Sequence, residues 1–141
     1  MRASIVAVFV ALAGCPTAHA QGFLTNCTWQ TAILVDSYLG AYCHNDNWQA
    51  FDYDWTWFDT SNCLMNNGGQ LTAYDGGKYW DTCKGCTILP SPGNFIITCT
   101  CLQPSIRLTT ATYDLNEIIW NHNGYLGCFE HFGNKSERGP F

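Results

Sequence analysis

Charge is scarce in this chain. Only 12% of its 141 residues are Asp, Glu, Lys or Arg, and the net charge is −5. Six basic residues cannot build the Lys/Arg clusters of a nucleic-acid footprint, so that class is excluded. Long apolar runs are missing too, except at the start. Met1-Arg2 is a short positive start, residues 3–13 are an apolar run, and Ala18-His19-Ala20 is an A-x-A cleavage site. That run is too short to span a bilayer and reads as an export leader, residues 1–20, with Gln21 as the first mature residue. Leu12-Ala13-Gly14-Cys15 offers a rival reading as a lipobox with a lipidated Cys15. The A-x-A site and the glycosylation sequons downstream favour plain export. No second long apolar run follows, so an extracellular product without a membrane span is expected. The motifs of common hydrolases, G-x-S-x-G and H-E-x-x-H, are absent as well.

Against these absences stand 47% hydrophobic residues, 15% aromatic residues and nine cysteines. The apolar content supports a packed core and excludes a disordered chain. The length allows one domain or two very small ones. Beyond Cys15 the cysteines are Cys27, Cys43, Cys63, Cys83, Cys86, Cys99, Cys101 and Cys128. An even count in a short exported chain predicts a disulfide framework, but eight cysteines allow about a hundred connectivities.

An internal repeat narrows them. A shift of 56 places Phe23 and Cys27 on Tyr79 and Cys83, Thr31 on Thr87, and Cys43 on Cys99. A shift of 55 places Phe58-Asp59 on Tyr113-Asp114, Asn66 on Asn121 and Gly69 on Gly124; Phe51 and Tyr53 likewise meet Ile106 and Leu108. Two units follow, about 23–74 and 79–129, joined at Asp75-Gly76-Gly77. Each keeps a cysteine pair sixteen positions apart, which predicts Cys27–Cys43 and Cys83–Cys99. Such bridges matter in units of this size, whose cores are thin.

Each unit reads as two β runs around its cysteines, then a third strand. In the first unit that strand is residues 51–57, alternating strictly with aromatics on one face. The repeat match to Ile106 and Leu108 predicts burial of Phe51 and Tyr53. Trp55 and Trp57 match Thr110 and Thr112 and are the expected exposed pair. Asp59 and Asp114 read as N-caps of short helical turns, and Glu117 completes a capping-box-like pattern. Asn123-Gly124 marks a two-residue hairpin, and Asn67-Gly68-Gly69 a less regular one.

Residues 114–126, Asp114-Leu115-Asn116 through Asn121, Gly124 and Leu126, resemble the D-L-N-x-x-I-x-N-x-x-G-x-L signature of the cyanovirin-N homology family. The tandem units with their internal cysteine pairs, and residues 94–99, are similar to that family as well. The first unit keeps Asp59 and Asn66 but loses the Leu-Asn pair, and the tail 130–141 has no counterpart. The resemblance implies a mainly β, pseudo-symmetric, disulfide-rich fold over residues 21–129 whose two repeats exchange strands into two lobes. It implies the bridges Cys86–Cys101 and Cys63–Cys128. The implied activity is lectin binding of mannose-rich glycans, by a monomer or a domain-swapped dimer, without catalysis, cofactor or nucleic acid.

Carried over by position, the sugar site of lobe one would use Thr25, Asn26, His44, Asn45, Asp46, Asn121 and Asn123. That of lobe two would use Lys78, Asp81, Thr82, Thr100, Asn66 and Asn67. Hydroxyl-rich ligands need such directional donors and acceptors, although each of these residues also suits an ordinary turn. Lobe one is the richer set. Asn134-Lys135-Ser136 is the better glycosylation sequon; Asn26-Cys27-Thr28 has a disulfide cysteine in its middle, and a glycan there would obstruct lobe one.

Three other readings compete. The aromatic strand, with Trp48, Phe51, Tyr53, Trp55 and Trp57, could stack on sugar rings through their C–H faces but is first of all packing material, and if exposed could instead serve a protein-interaction module that kept the fold without sugar binding. Asp52 and Asp54 could pose as the paired carboxylates of a glycosidase, but acids alternating with aromatics fit a solvated face. Cys83, Cys86, Cys99 and Cys101 have ligand-like spacing, but exported thiols pair, so no metal is expected.

Overall fold

The computed structural model describes residues 22–47, 49 and 52–140. The expected leader, Cys15, Trp48 and Phe51 lie outside the described residues. Strands β1 (Cys27–Val35), β2 (Tyr38–His44) and β3 (Tyr53–Asp59) form an antiparallel sheet in the first unit. The hairpin β4 (Leu64–Asn67) and β5 (Gln70–Ala73) follows. The second unit repeats the plan with β6 (Cys83–Pro90), β7 (Phe95–Leu102), β8 (Leu108–Asp114), then the hairpin β9 (Trp120–His122) and β10 (Tyr125–Cys128).

Among the described residues, single 3-10 turns punctuate the units at Phe23–Thr25, Thr60–Asn62, Tyr79–Asp81 and Leu115–Glu117. Asp59 and Asp114 cap two of them, accepting from the backbone N–H of Ser61 and Asn116 at 3.0 Å each. The hairpins turn on residues held at positive φ, Gly68 and Gly69 in one (63° and 97°) and Asn123 and Gly124 in the other (53° and 80°). This is the twist that two-residue hairpins require.

The units exchange their hairpins. The β9–β10 hairpin packs on β3, where Leu126 N donates to the buried Thr56 Oγ1 at 3.1 Å. The β4–β5 hairpin packs on β8. Lobe one is therefore β1–β3 with the second unit's hairpin, and lobe two is β6–β8 with the first unit's hairpin. Alternation builds the core: Phe95, Ile97, Cys99 and Cys101 of β7 point inward, while the residues between them point out. Phe23 and Tyr79, at matching places in the repeat, are fully buried, and Phe23 meets Phe95 edge-on at 5.0 Å. Thr60 Oγ1 donates to Ser37 O at 2.6 Å, which leaves the Tyr79 hydroxyl to donate to Thr60 Oγ1 at 2.6 Å.

The disulfides are Cys27–Cys43, Cys63–Cys128, Cys83–Cys101 and Cys86–Cys99. The first two are as expected. The pairings Cys83–Cys99 and Cys86–Cys101 are corrected to nested bridges. The cause is register: Cys83 lies directly opposite Cys101, and a single extra residue bulges from β6 between Lys84 and Thr87, at Gly85 (φ 63°), which brings Cys86 beside Cys99. Crossed bridges would have to run diagonally over this ladder. The repeat misled because the β6–β7 turn holds two more residues than Asp36-Ser37, so the residue matching Cys43 is Cys101, not Cys99.

The tail is part of the fold. Strand β11 (His131–Phe132) pairs with β10, and β12 (Asn134–Lys135) adds a fourth strand beside β3. It reverses the expected exposure of the aromatic strand. Trp57, with 9% of its surface exposed, lies across Gly40, whose missing Cβ would otherwise come within 2.5 Å of the indole. Its N–H donates to Ser136 O at 3.0 Å. Tyr53, at the open end of β3, is 41% exposed, and its repeat partner Leu108 is exposed as well.

Candidate functional site

At the tip of lobe one, three segments far apart in sequence converge: residues 25–26, the end of β2 with residues 44–46, and the turn 121–124. Asn121 is the clamp. Its Nδ2 donates to His44 O at 2.9 Å and to Asn26 O at 3.4 Å, and Asn26 O also accepts His44 N at 2.8 Å. Asn123 Oδ1 accepts the backbone N–H of Asp46 at 3.0 Å, tying the hairpin turn to the loop after β2. Asn45 donates its Nδ2 to Asp54 Oδ2 at 3.1 Å and accepts Asn47 N at 2.9 Å on its Oδ1. Thr25, Asn26, Asp46 and Asn123 are exposed, and His44, Asn45 and Asn121 are half-buried. The structure thus brings all seven lobe-one residues to one end.

Two contributors were not foreseen there. Asp54 joins the site, and Lys135 reaches it from the tail, 2.8 Å from Asp54 Oδ2 and 4.4 Å over the Tyr125 ring. The Lys135 hydrogen bond, reinforced by Asn45, holds the Asp54 carboxyl below its usual range despite partial desolvation. Gly124 makes the approach possible, since a Cβ there would lie 3.0 Å from Asp54 Oδ2 and 3.2 Å from Asn45 Cβ. The repeat could have drawn attention to Asp54, which matches Thr109. Nothing in the sequence located Lys135.

Lobe two repeats the clamp with different walls. Asn66 Nδ2 donates to Leu102 O at 2.8 Å and to Thr82 Oγ1 at 2.9 Å, and its Oδ1 accepts Gly69 N at 2.7 Å. In lobe one the matching oxygen, Asn121 Oδ1, is buried without a partner among the described residues. Leu102 occupies the place of His44, Gln103 that of Asn45, and Thr109 that of Asp54; a Cβ on Gly69 would strike Gln103 and Thr109. Lys78, at φ 52°, precedes the adjoining 3-10 turn and Asp81 ends it, both exposed, and Asn67 flanks the hairpin turn. Thr100 does not join them. It stands on the outer face of β7, paired between Lys84 and Thr110, because the longer β6–β7 turn moves the end of the strand to Leu102.

The four thiols with metal-like spacing are all consumed in disulfides. Of the paired acids, Asp52 is exposed ahead of β3 and Asp54 is ion-paired. A glycosidase's general acid needs a raised pKa, and the shift at Asp54 is the opposite. Among the described residues no helix is long and apolar enough to cross a membrane.

Comparison with known proteins agrees with this architecture. The sequence model of the CVNH domain matches residues 23–127. The NMR structure of GzCVNH from Gibberella zeae is 18% identical, with a TM-score of 0.61 over 75% of this chain and 95% of its own. A MoCVNH3 variant solved in complex with (N-GlcNAc)4 is 16% identical, with a TM-score of 0.65 over 79% of this chain and 99% of its own. Microvirin, solved as a mannobiose complex, is 21% identical, with a TM-score of 0.61 over 77% and 98%. No curated protein matches the chain. With the signature, the exchanged hairpins and the matched span together, the chain belongs to the CVNH domain family.

Proposed function

We propose that this chain is an exported, non-catalytic lectin that binds mannose-rich glycans through lobe one. The observation that carries this reading is the asymmetry of two lobes built on the same clamp. Lobe one presents Asn45, Asp46 and Asn123 around an ion-paired Asp54, whereas lobe two presents Leu102, Gln103 and Thr109. Sugar hydroxyls are recognised by such carboxylates and amides, and pre-set hydrogen bonds lower the ordering cost of binding. The mannobiose complex of microvirin supports mannose as the ligand class, and the (N-GlcNAc)4 complex makes chitooligosaccharides the necessary comparison. The lowered pKa of Asp54 supports binding without acid catalysis. The interaction-module alternative relied on Trp55 and Trp57 being presented together, and Trp57 is covered.

The test is a glycan array with the oxidised protein, followed by calorimetry with mannobiose. Selective mannose binding that Asp46→Ala weakens about tenfold or more, and that Thr100→Ala leaves unchanged, is the expected result. Failure to bind any mannose or N-acetylglucosamine structure with all four disulfides intact overturns the reading.

A further inference from the structure

We propose that Asn134 carries an N-linked glycan whose first sugars lie along the aromatic outer face of the lobe-one sheet. This rests on the export part of the reading above and not on its sugar-binding part. Asn134-Lys135-Ser136 is a sequon, and Asn134 is exposed on β12. It pairs directly with Trp57 of β3, so its side chain leaves the sheet on the same face as Trp57, Trp55 and Tyr53. Lys135 points to the opposite face, toward Asp54.

On the outer face the rings form a continuous row. Trp55 is half-buried and stacked 6.3 Å from Trp57; Tyr42 lies 5.8 Å from Trp55, and Tyr53 is stacked 5.2 Å from Tyr42. Tyr42 and Tyr53 are 37% and 41% exposed. Trp55 is a diagonal cross-strand neighbour of Asn134, about 7–8 Å away, within reach of the first sugar of a glycan. A pyranose ring offers an apolar C–H face to such rings while its hydroxyls stay in water. The matching face of lobe two carries Thr98, Thr100, Thr110 and Thr112 instead, and among the described residues no strand is added beside β8. Aromatic rings and sequon therefore occur on the same sheet and are both missing from the other.

The modification is made by a transferase during export, on the unfolded chain. The Asn134 Nδ2 displaces a lipid diphosphate from the anomeric carbon of a lipid-linked oligosaccharide. An N–C bond forms, the C–O bond to phosphate breaks, and the amide proton passes to the transferase's base. Pairing of β12 with β3 then lays the glycan over the rings.

The full chain, with its own leader, is expressed in a eukaryotic secretory host, beside Asn134→Gln. Intact mass of the secreted protein should show a glycan that the variant lacks. Acrylamide should quench tryptophan emission less in the glycosylated protein than in Asn134→Gln, and the difference should vanish in the Trp55→Thr background. Secreted protein unmodified at Asn134 overturns this proposal and leaves the lectin reading standing; a chain retained inside the cell overturns both the export reading and this one. A glycan on Asn134 with unchanged quenching, both proteins being monomeric, refutes its placement on the aromatic face.

Discussion

The Cys63–Cys128 bridge should contribute most among the four disulfides to stability, and the structure gives its margin. It spans 65 residues and ties the start of β4 to the end of β10, so it joins the two exchanged hairpins. In the chain-entropy account a loop of that length stabilises by about 4 kcal/mol. Cys83–Cys101 spans 18 residues of one β-hairpin that Cys86–Cys99 already closes from within. Removing it opens a ring of only a few residues, worth about 2 kcal/mol. All four sulfurs in this comparison are fully buried, so the packing lost in paired Cys→Ala variants is similar. Urea unfolding of Cys63→Ala/Cys128→Ala and Cys83→Ala/Cys101→Ala should therefore show the first less stable, by about 2 kcal/mol. Because β10 carries the lobe-one turn, the first variant should also bind glycans more weakly. Equal losses, or the reverse order, would refute the nested arrangement as the reason.

Other perturbations separate the lobes and the buried polar groups. Asn121→Ala and Asn66→Ala each remove a two-carbonyl or carbonyl-and-hydroxyl clamp and should cost about 1–3 kcal/mol by thermal or urea unfolding; only Asn121→Ala should abolish mannose binding, and a binding-competent Asn121→Ala would sink the lobe-one assignment. Burial pushes the Tyr79 hydroxyl up to about 12. Its stabilising effect is complete below the unfolded tyrosine value, about 10, and is lost as pH rises through the folded one. Stability of Tyr79→Phe should thus fall less steeply in alkali than that of the parent. The lowered Asp54 pKa works at the other limb: its contribution is present above the ordinary carboxylate value and lost as pH falls through the folded one. Lys135→Met should flatten that acid limb in a pH series of melting curves, and an unchanged limb would show that the ion pair is incidental.

Much of the molecule was legible because it is written locally. Asp59 and Asp114 cap their turns through bonds two residues long. The Asn-Gly and Gly-Gly hairpins follow from which residues tolerate positive φ. The two units and the Cys27–Cys43 bridge came from the repeat, and the β class from alternation within each unit. The strand exchange, which brings Asn121 to His44 across 77 positions, was reached only through resemblance to a family.

What the chain order could not disclose depends on how strands lie against one another. One bulged residue in β6 decided which cysteines face each other, by slipping the inward positions from Cys83 to Cys86 and Ile88. The β6–β7 turn, two residues longer than its counterpart, took Thr100 out of lobe two. The tail carries two short strands with little periodicity, yet pairing β12 with β3 covered Trp57, placed Asn134 on the aromatic face and brought Lys135 to Asp54. Local propensities set turns and alternation along the chain. Register and edge pairing are chosen by the whole sheet, because a strand's partner is fixed by contacts with residues distant in sequence.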